Sequence, residues 1–273
     1  MKTNILFLFT RTPLHIGAGA SVGAIDQPIV RERHTGYPVI PGSSLKGVLR
    51  DACNRGNQAA QADALFGTQT DAGKVSFGEG RLLAFPVRSA KGAFAFVTSR
   101  LALERFRRDR DGLTGLPELP TLPDMECLAG ETVTVSNNQH KGVVLEEYRF
   151  NPKDVFPVAW ENALQALLDD PVWQAGKSRF VMLSDGDFAH FVKSTCEISQ
   201  HVGINPETGT AKKGALFNLE AVPAETLFYA PMVSLARESG EFETLKKMLE
   251  QQPLLQVGAD STTGLGFCTV KLG

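Results

Sequence analysis

AIDQPIVRERHTGYPVIPGSSLKG, residues Ala24 to Gly47, places one carboxylate, Asp26, ahead of a stretch that turns basic and stiff. Arg31, Arg33 and His34 lead to Pro38 and Pro41, and the segment closes on Ser43-Ser44-Leu45-Lys46-Gly47. The prolines favour extended backbone around them. From Ser43 the pattern becomes helical, with Leu45, Val48, Leu49 and Ala52 at i, i+3, i+4 and i+7 on one apolar face. Lys46 and Arg50 are i, i+4 neighbours on another face. Two serines, a glycine and Lys46 at a helix start suit a phosphate. The plainer reading of the same residues is a cap beside a solvated lysine. The spacing is not that of a Walker A loop.

Upstream, TNILFLFTRTPLHIG has the length and apolar density of a buried strand, ended by Gly-Ala-Gly. Asp26 therefore falls in a glycine-containing loop between a strand and a basic extended segment. No Ser-His-Asp order or spaced carboxylate pair accompanies it, and His15 and His34 lie in no metal-ligand motif.

Downstream, a short helix is expected from Gln58 to Phe66, ended by Gly67. Strands follow in GKVSFGEGRLLAFPV and GAFAFVTS, then a helix in SRLALERFRRDR, whose cationic last turn suits its dipole. Lys91 to Val97 mimics an RNP1 aromatic strand, but Phe94 and Phe96 have the spacing of one strand face and read as core. A Pro/Gly-rich insertion, DGLTGLPELPTLPD, precedes strands in NNQHKGVVLEEYRF, a helix from Pro157, a strand in RFVMLS and a helix capped by Ser184. Apolar Cys196, Ile198, Val202 and Ile204 alternate with polar residues, NPETG turns the chain, and Ala215, Phe217 and Leu219 alternate again. This reads as a projecting antiparallel hairpin. The chain ends in strand TLFYAPMVSLA, helix EFETLKKMLEQQ and two strands around Gly258, Gly264 and Gly266. A strand follows these glycines where a Rossmann fold needs a helix. They serve a tight turn or the close approach of an RNA backbone.

The 273 residues can bury a large core in one elaborated domain or two, and the hydrophobic content of 42% is that of a globular chain. Frequent hairpins without strict strand–helix alternation favour an α+β fold. NILFLF is too short to span a bilayer and reads as a first strand rather than a signal peptide. Four scattered cysteines fit a reducing, cytoplasmic compartment and argue against a disulfide framework or zinc site. A net charge of −2 counts against indiscriminate nucleic-acid binding but leaves room for a local groove.

Taken together, TPLHIGAG, Ala24 to Ala52, GKVSFGEGRLLAFPVRSAKGAFAFVTS, TGTAKKGALFNLEAVPAETLFY and LLQVGADSTTGLGF resemble the RAMP superfamily. They resemble most closely the backbone subunit of type III-B CRISPR (Cmr) effector complexes. The resemblance implies a single RAMP domain over residues 1–273: a ferredoxin-like (RRM-like) palm, inserted subdomains and a projecting β-hairpin thumb at residues 195–220. It implies a cytoplasmic, metal-dependent endoribonuclease with no membrane association. The partners it implies are guide RNA, complementary target RNA, other Cmr-type subunits and copies of itself in a helical filament. Asp26 falls on the family's catalytic position and would take the proton of the target's own 2′-OH or hold a divalent metal, Mg2+ or Mn2+. His15, Glu225 and Tyr229 are the expected catalytic support. Ser43, Ser44, Lys46, Arg50, Arg31, Arg33, Gly258, Gly264 and Gly266 are the expected RNA contacts. Two rivals remain at this level: a non-cutting scaffold of the same fold, and a solitary guide-processing nuclease using a base such as His15.

Overall fold

The first strand is apolar at nearly every position because it is buried on both faces. Ile5, Phe7 and Phe9 enter one layer and Leu6 and Leu8 the other, all 1–2% exposed. The computed structural model describes residues 2–19, 24–57, 59–136, 140–235 and 240–273. The expected helix start at Gln58, the strand ends at Asn137 and Ala236, and residues 20–23 of the Asp26 loop lie outside them.

The elements run β1 (Thr3–Thr10), β2 (Val39–Ile40), α1 (Gly42–Arg55), α2 (Ala62–Phe66), β3 (Val75–Phe77), β4 (Gly80–Arg88), β5 (Phe94–Ser99) and α3 (Arg100–Asp109). The middle holds β6 (Glu126–Ala129), β7 (Thr134–Ser136), β8 (Lys141–Leu145), β9 (Tyr148–Val155), α4 (Val158–Gln165), α5 (Pro171–Gln174), β10 (Phe180–Leu183) and α6 (Asp185–Ser194). The last third holds β11 (Glu197–Ile204), β12 (Ala211–Ala221), β13 (Leu227–Ser234), α7 (Gly240–Gln251), β14 (Leu254–Gln256) and β15 (Phe267–Leu272).

Among the described residues, thirteen strands form one sheet in the order β14-β15-β1-β13-β4-β5-β10-β6-β9-β8-β7, with β2 on β4 and β3 on β13. Pairing is antiparallel except for β5–β10 and β6–β9. The result is a mixed α+β fold, as the sequence implies. Leu45 and Leu49 of α1, Phe188 of α6 and Leu245 and Leu249 of α7 pack on one face. Leu103 and Phe106 of α3, Trp160 of α4 and Trp173 of α5 cover the other. Phe96 lies in that second layer, fully buried, so the RNP1-like strand is core.

Two local details differ from the sequence reading. Helix α1 begins at Gly42, not Ser43, and Pro41 holds the cap position with no side-chain bond. Proline presets the entry φ, and a Cβ on Gly42 would stand 2.3 Å from the Phe77 carbonyl oxygen, so both residues answer to packing. Ser43 and Ser44 thus lie in the first turn rather than capping it. The second helix is a 3₁₀ turn, Ala59–Gln61, running into α2 and stopped by Gly67 at φ +82°. Ser184 does cap α6, accepting from the Asp187 amide at 3.0 Å.

Among the named strands β11 and β12 pair only with each other, and the Gln27 segment bridges to β12 at Leu219. Their register sets His201 opposite Phe217 and Val202 opposite Leu216. His201 stacks on Phe217 with 5.2 Å between centroids. The opposite, apolar face stays open: Ile198, Val202, Ile204 and Leu216 are 44–58% exposed. Alternation marks a two-faced strand but does not say which face is covered. Beyond its root this hairpin projects past the sheet with that face exposed, whereas at the root Leu219, Glu220 and Ala221 are buried. No helix among the described residues is long and apolar enough to cross a membrane.

Candidate nucleic-acid interface

Asp26 is exposed, and its carboxylate is held at one oxygen. The Asn218 amide of β12 donates to Oδ2 at 2.8 Å. The main chain beside it is bonded to the same strand: Gln27 N–H donates to the Asn218 carbonyl, and Glu220 N–H to the Gln27 carbonyl, both at 3.0 Å. The lone acid is therefore fastened to the root of the hairpin.

His15 meets the same strand two residues further on, about 7 Å along a strand at the usual rise. Its Nδ1 lies 2.6 Å from the Glu220 carbonyl oxygen. A carbonyl only accepts, so Nδ1 carries the hydrogen and the ring is oriented by the backbone. His15 is 4% exposed and is a buried strut of the hairpin root.

The glycine loop closes over this strut. The Ala259 amide donates to the His15 carbonyl at 3.0 Å, and the Gly266 amide to that of Pro13 at 2.8 Å. Gly258, Gly264 and Gly266 all have left-handed backbone, with φ of 82°, 90° and 78°. A Cβ at Gly258 would stand 2.2 Å from the His15 carbonyl oxygen, and one at Gly266 1.9 Å from that of Val257. These two glycines are required by the fold. A Cβ at Gly264 would meet nothing within 4 Å, so only there does the loop leave room for a ligand backbone.

α1 packs beside β14, which leads into this loop. Ser43 and Lys46 are exposed, and the Lys46 ammonium is unpaired among the described residues. Arg50 is different. Its guanidinium donates to the Gly67 carbonyl at 2.7 Å and to Asp63 at 2.6 Å, tying α1 to α2. Arg31 is also committed, to the carbonyls of Gly36 and Val192, the Cys196 sulfur and Glu220. Both arginines tie parts of the fold together, where the sequence suggests contacts with RNA. A cation's partners are a tertiary fact and leave no local mark.

Arg33 is exposed and faces a cavity of about 440 Å³ that the sequence does not announce. Arg81, Arg105, Arg108 and His34 line it, against Glu32 and Glu79. Burial pushes the Glu32 carboxyl up, but bonds from Thr35 and Arg105 outweigh it and hold the group below its usual range. The signal lay in ERFRRDR, whose arginines also suit a helix end and so look self-explained.

Neither Glu225 nor Tyr229 bonds to Asp26 among the described residues. Tyr229 is fully buried in the layer opposite α1, its hydroxyl 3.0 Å from Asp109 Oδ2, to which Arg81 also bonds. Burial, then Asp109, raises its pKa far above the ordinary tyrosine value. Glu225 sits in the turn after β12 at φ 63°, and its amide donates to the Thr10 carbonyl at 2.7 Å. Burial raises its carboxyl pKa, and the charges of Asp170 and Glu197 add to this. A carboxyl with a raised folded pKa binds its proton more tightly in the folded state. Its stabilising contribution is complete below the unfolded pKa and is lost as pH rises through the folded one. Glu225→Gln should therefore raise the melting temperature at pH 7 and leave it unchanged well below pH ~4, where the unfolded carboxyl is also neutral. An equal shift at both pH values would remove the titration from the account.

No three His, Cys, Asp or Glu side chains gather into a possible metal site among the described residues. Asp26 offers a single carboxylate with one oxygen already engaged.

An α+β sheet carries a hairpin paired with no other strand, with an acid and a glycine loop at the hairpin's root and a helix bearing Lys46 packed beside the strand that leads into that loop. The chain belongs to the RAMP superfamily, which it matches over residues 8–269. Within that class it is 37% identical over 289 residues to the CRISPR system Cmr endoribonuclease Cmr4 of Pyrococcus furiosus, spanning 100% of this chain and 96% of that one. A shorter likeness, 55% over 42 residues and 14% of the chain, joins it to the Cms endoribonuclease Csm3 of Streptococcus thermophilus, covering 19% of that protein. The solved structure of oligomeric Cmr4 from P. furiosus superposes with a TM-score of 0.79 at 32% identity, covering 100% of this chain and 98% of that one. A chain of the type III-B Cmr-beta complex bound to cognate target RNA shares the fold, with a TM-score of 0.78 at 18% identity over 100% of this chain and 97% of that one.

Proposed function

We propose that this chain is the repeated backbone subunit of a type III-B CRISPR effector, binding guide RNA and cutting the RNA paired to it. The carrying observation is the fastening of Asp26 to the hairpin root, which puts an exposed carboxylate beside the element that would displace a nucleotide. The full-length likeness to a Cmr endoribonuclease supports the activity. The oligomeric relative supports packing against further copies, and the target-bound complex supports the RNA partners and other Cmr subunits.

The order β15-β1-β13-β4, all antiparallel, with α1 and α7 on one face, supports a ferredoxin-like palm. The hairpin's exposed apolar face supports a thumb, because an uncovered apolar stripe is suited to a wedge or a docking surface. In the proposed reaction the target's own 2′-OH attacks the adjacent phosphorus in line, the bond from phosphorus to the 5′-oxygen of the next nucleotide breaks, and the products are a 2′,3′-cyclic phosphate and a 5′-hydroxyl that takes its proton from water. A displaced nucleotide reaches that geometry, whereas a stacked one does not. Asp26 accepts the hydroxyl proton. The donor set among the described residues does not fit a protein-held metal ion, so no step is assigned to one. A divalent ion enters the proposal only as one bound chiefly by RNA oxygens and water.

Size measurement with and without guide RNA tests the reading. Growth into multimers on the guide supports a backbone subunit, and a chain that stays monomeric on RNA contradicts it. Cutting that stops on chelation and returns with Mg2+ or Mn2+ supports the ion, and full cutting in chelator removes it.

Lys46 and Arg50 give a paired prediction. Lys46→Ala should weaken binding about equally for unrelated guides and lower the salt slope by about one counterion. Arg50→Ala should lower the melting temperature and leave the slope unchanged, since its partners are Asp63 and Gly67. Titrations at several salt concentrations read both.

A further inference from the structure

We propose that Glu220 is a positioning residue that locks the Asp26 segment to the root of the hairpin, so that the hairpin and the cut-site carboxylate move as one body. The proposal rests on the reading of Asp26 as the group that serves cutting.

Glu220 is 4% exposed. A buried carboxylate is costly unless paired and hydrogen-bonded, and here both oxygens are used. Oε1 accepts from Arg31 Nη2 at 2.5 Å and Oε2 from the Ile29 amide at 3.0 Å. The backbone of the same residue is engaged as well: its amide donates to the Gln27 carbonyl and its carbonyl accepts from His15 Nδ1. Every polar group of Glu220 is thus bonded to His15 or to the run from Gln27 to Arg31. Two residues earlier on β12, the Asn218 amide holds Asp26 itself.

Arg31 carries the lock onward. Its remaining donors reach the Val192 carbonyl at the end of α6, the Gly36 carbonyl, and the Cys196 sulfur immediately before β11. The Cys196 thiol is pushed up to about 11, mainly by burial, so it stays protonated and serves as a neutral partner. Both strands of the hairpin and the Asp26 segment therefore meet at one ion pair, its carboxylate side chain 5% exposed and its guanidinium side chain 21%.

The consequence is geometric. The hairpin selects the nucleotide that leaves the stack, and Asp26 must reach the 2′-OH of that nucleotide. A ~1 Å error in such a placement can cost about 10²-fold in rate. If the ion pair is what keeps the two in step, loosening it should blur the choice of scissile bond as well as slow the cut.

The test uses guide-loaded complexes and complementary RNA, with cut sites mapped at single-nucleotide resolution. Glu220→Gln keeps the shape and removes the charge. Arg31→Lys keeps the charge but cannot bridge four acceptors, and it serves if the first variant folds poorly. Both should assemble on guide RNA as the wild type does. Their cutting should slow by about 10- to 10²-fold, and cuts should spread to neighbouring nucleotides. Wild-type rate and positions in both variants would overturn the proposal, as would uniform slowing at unchanged positions, the mark of general support to the fold. Asp26→Asn is run alongside: if it cuts at the wild-type rate, the reading of Asp26 fails, whatever the Glu220 variant does.

Discussion

Complexes built with Asp26→Asn should bind guide RNA normally and cut complementary RNA about 10²-fold more slowly or worse, the usual loss for a positioned acid–base group. The structure explains why binding should survive. Among the described residues, the contact that the Asp26 side chain makes with the fold is an amide donating to Oδ2, and an asparagine oxygen accepts the same bond. Shape and anchorage persist while the negative charge disappears. Replacing the target 2′-OH by hydrogen at the nucleotide before a cut should block wild-type cutting at that site alone, because the nucleophile is gone. Asp26→Asn complexes that assemble and cut at the wild-type rate would make the carboxylate a loop-shaping group bonded to Asn218 and nothing more.

Trimming the hairpin tip from Asn205 to Lys212 should leave the main sheet folded and damage guide assembly or the regular spacing of cuts. β11 and β12 pair with no other strand, and the tip is closed by bonds internal to it, Gly209 amide to Asn205 carbonyl and Asn205 amide to Thr210 carbonyl, both 2.8 Å. Removing it leaves the main sheet intact. The Asp26 anchor at Asn218 lies beyond the cut and should persist. An unchanged melting temperature with an altered ladder fits the thumb reading. Unaltered assembly together with an unaltered ladder excludes it.

The parts of the fold that were legible are those with a local period. The first strand, the face of α1 through Leu45 and Leu49, and the two arms of the hairpin follow from spacing alone. Strand parity also places Tyr229: Phe228 and Ala230 face the layer of α1 and α7, so Tyr229 must face away from it. The resemblance pulls it toward the cut site, and the period of two puts it in the opposite core.

The site was legible only in part because its chemistry depends on partners distant in sequence. Arg31 and Arg50 are basic residues in a basic stretch, and nothing local says that Val192 or Asp63 takes up their donors. Glu220 occupies a polar position in an alternating arm, where a solvent-facing side chain is the ordinary expectation. Its burial arises because the Gln27–Arg31 segment lies across that face of the hairpin root. The cavity at Arg33 likewise combines residues from the Arg33 turn, β4 and α3.

The most direct measurement incubates the guide-loaded complex with end-labelled complementary RNA and reads the products by length. Repeated subunits, each with one fastened carboxylate, predict a ladder of cuts at a constant interval that vanishes when every copy carries Asp26→Asn. Intact RNA, a single cut, or a ladder that persists in the Asp26→Asn complex would contradict the account.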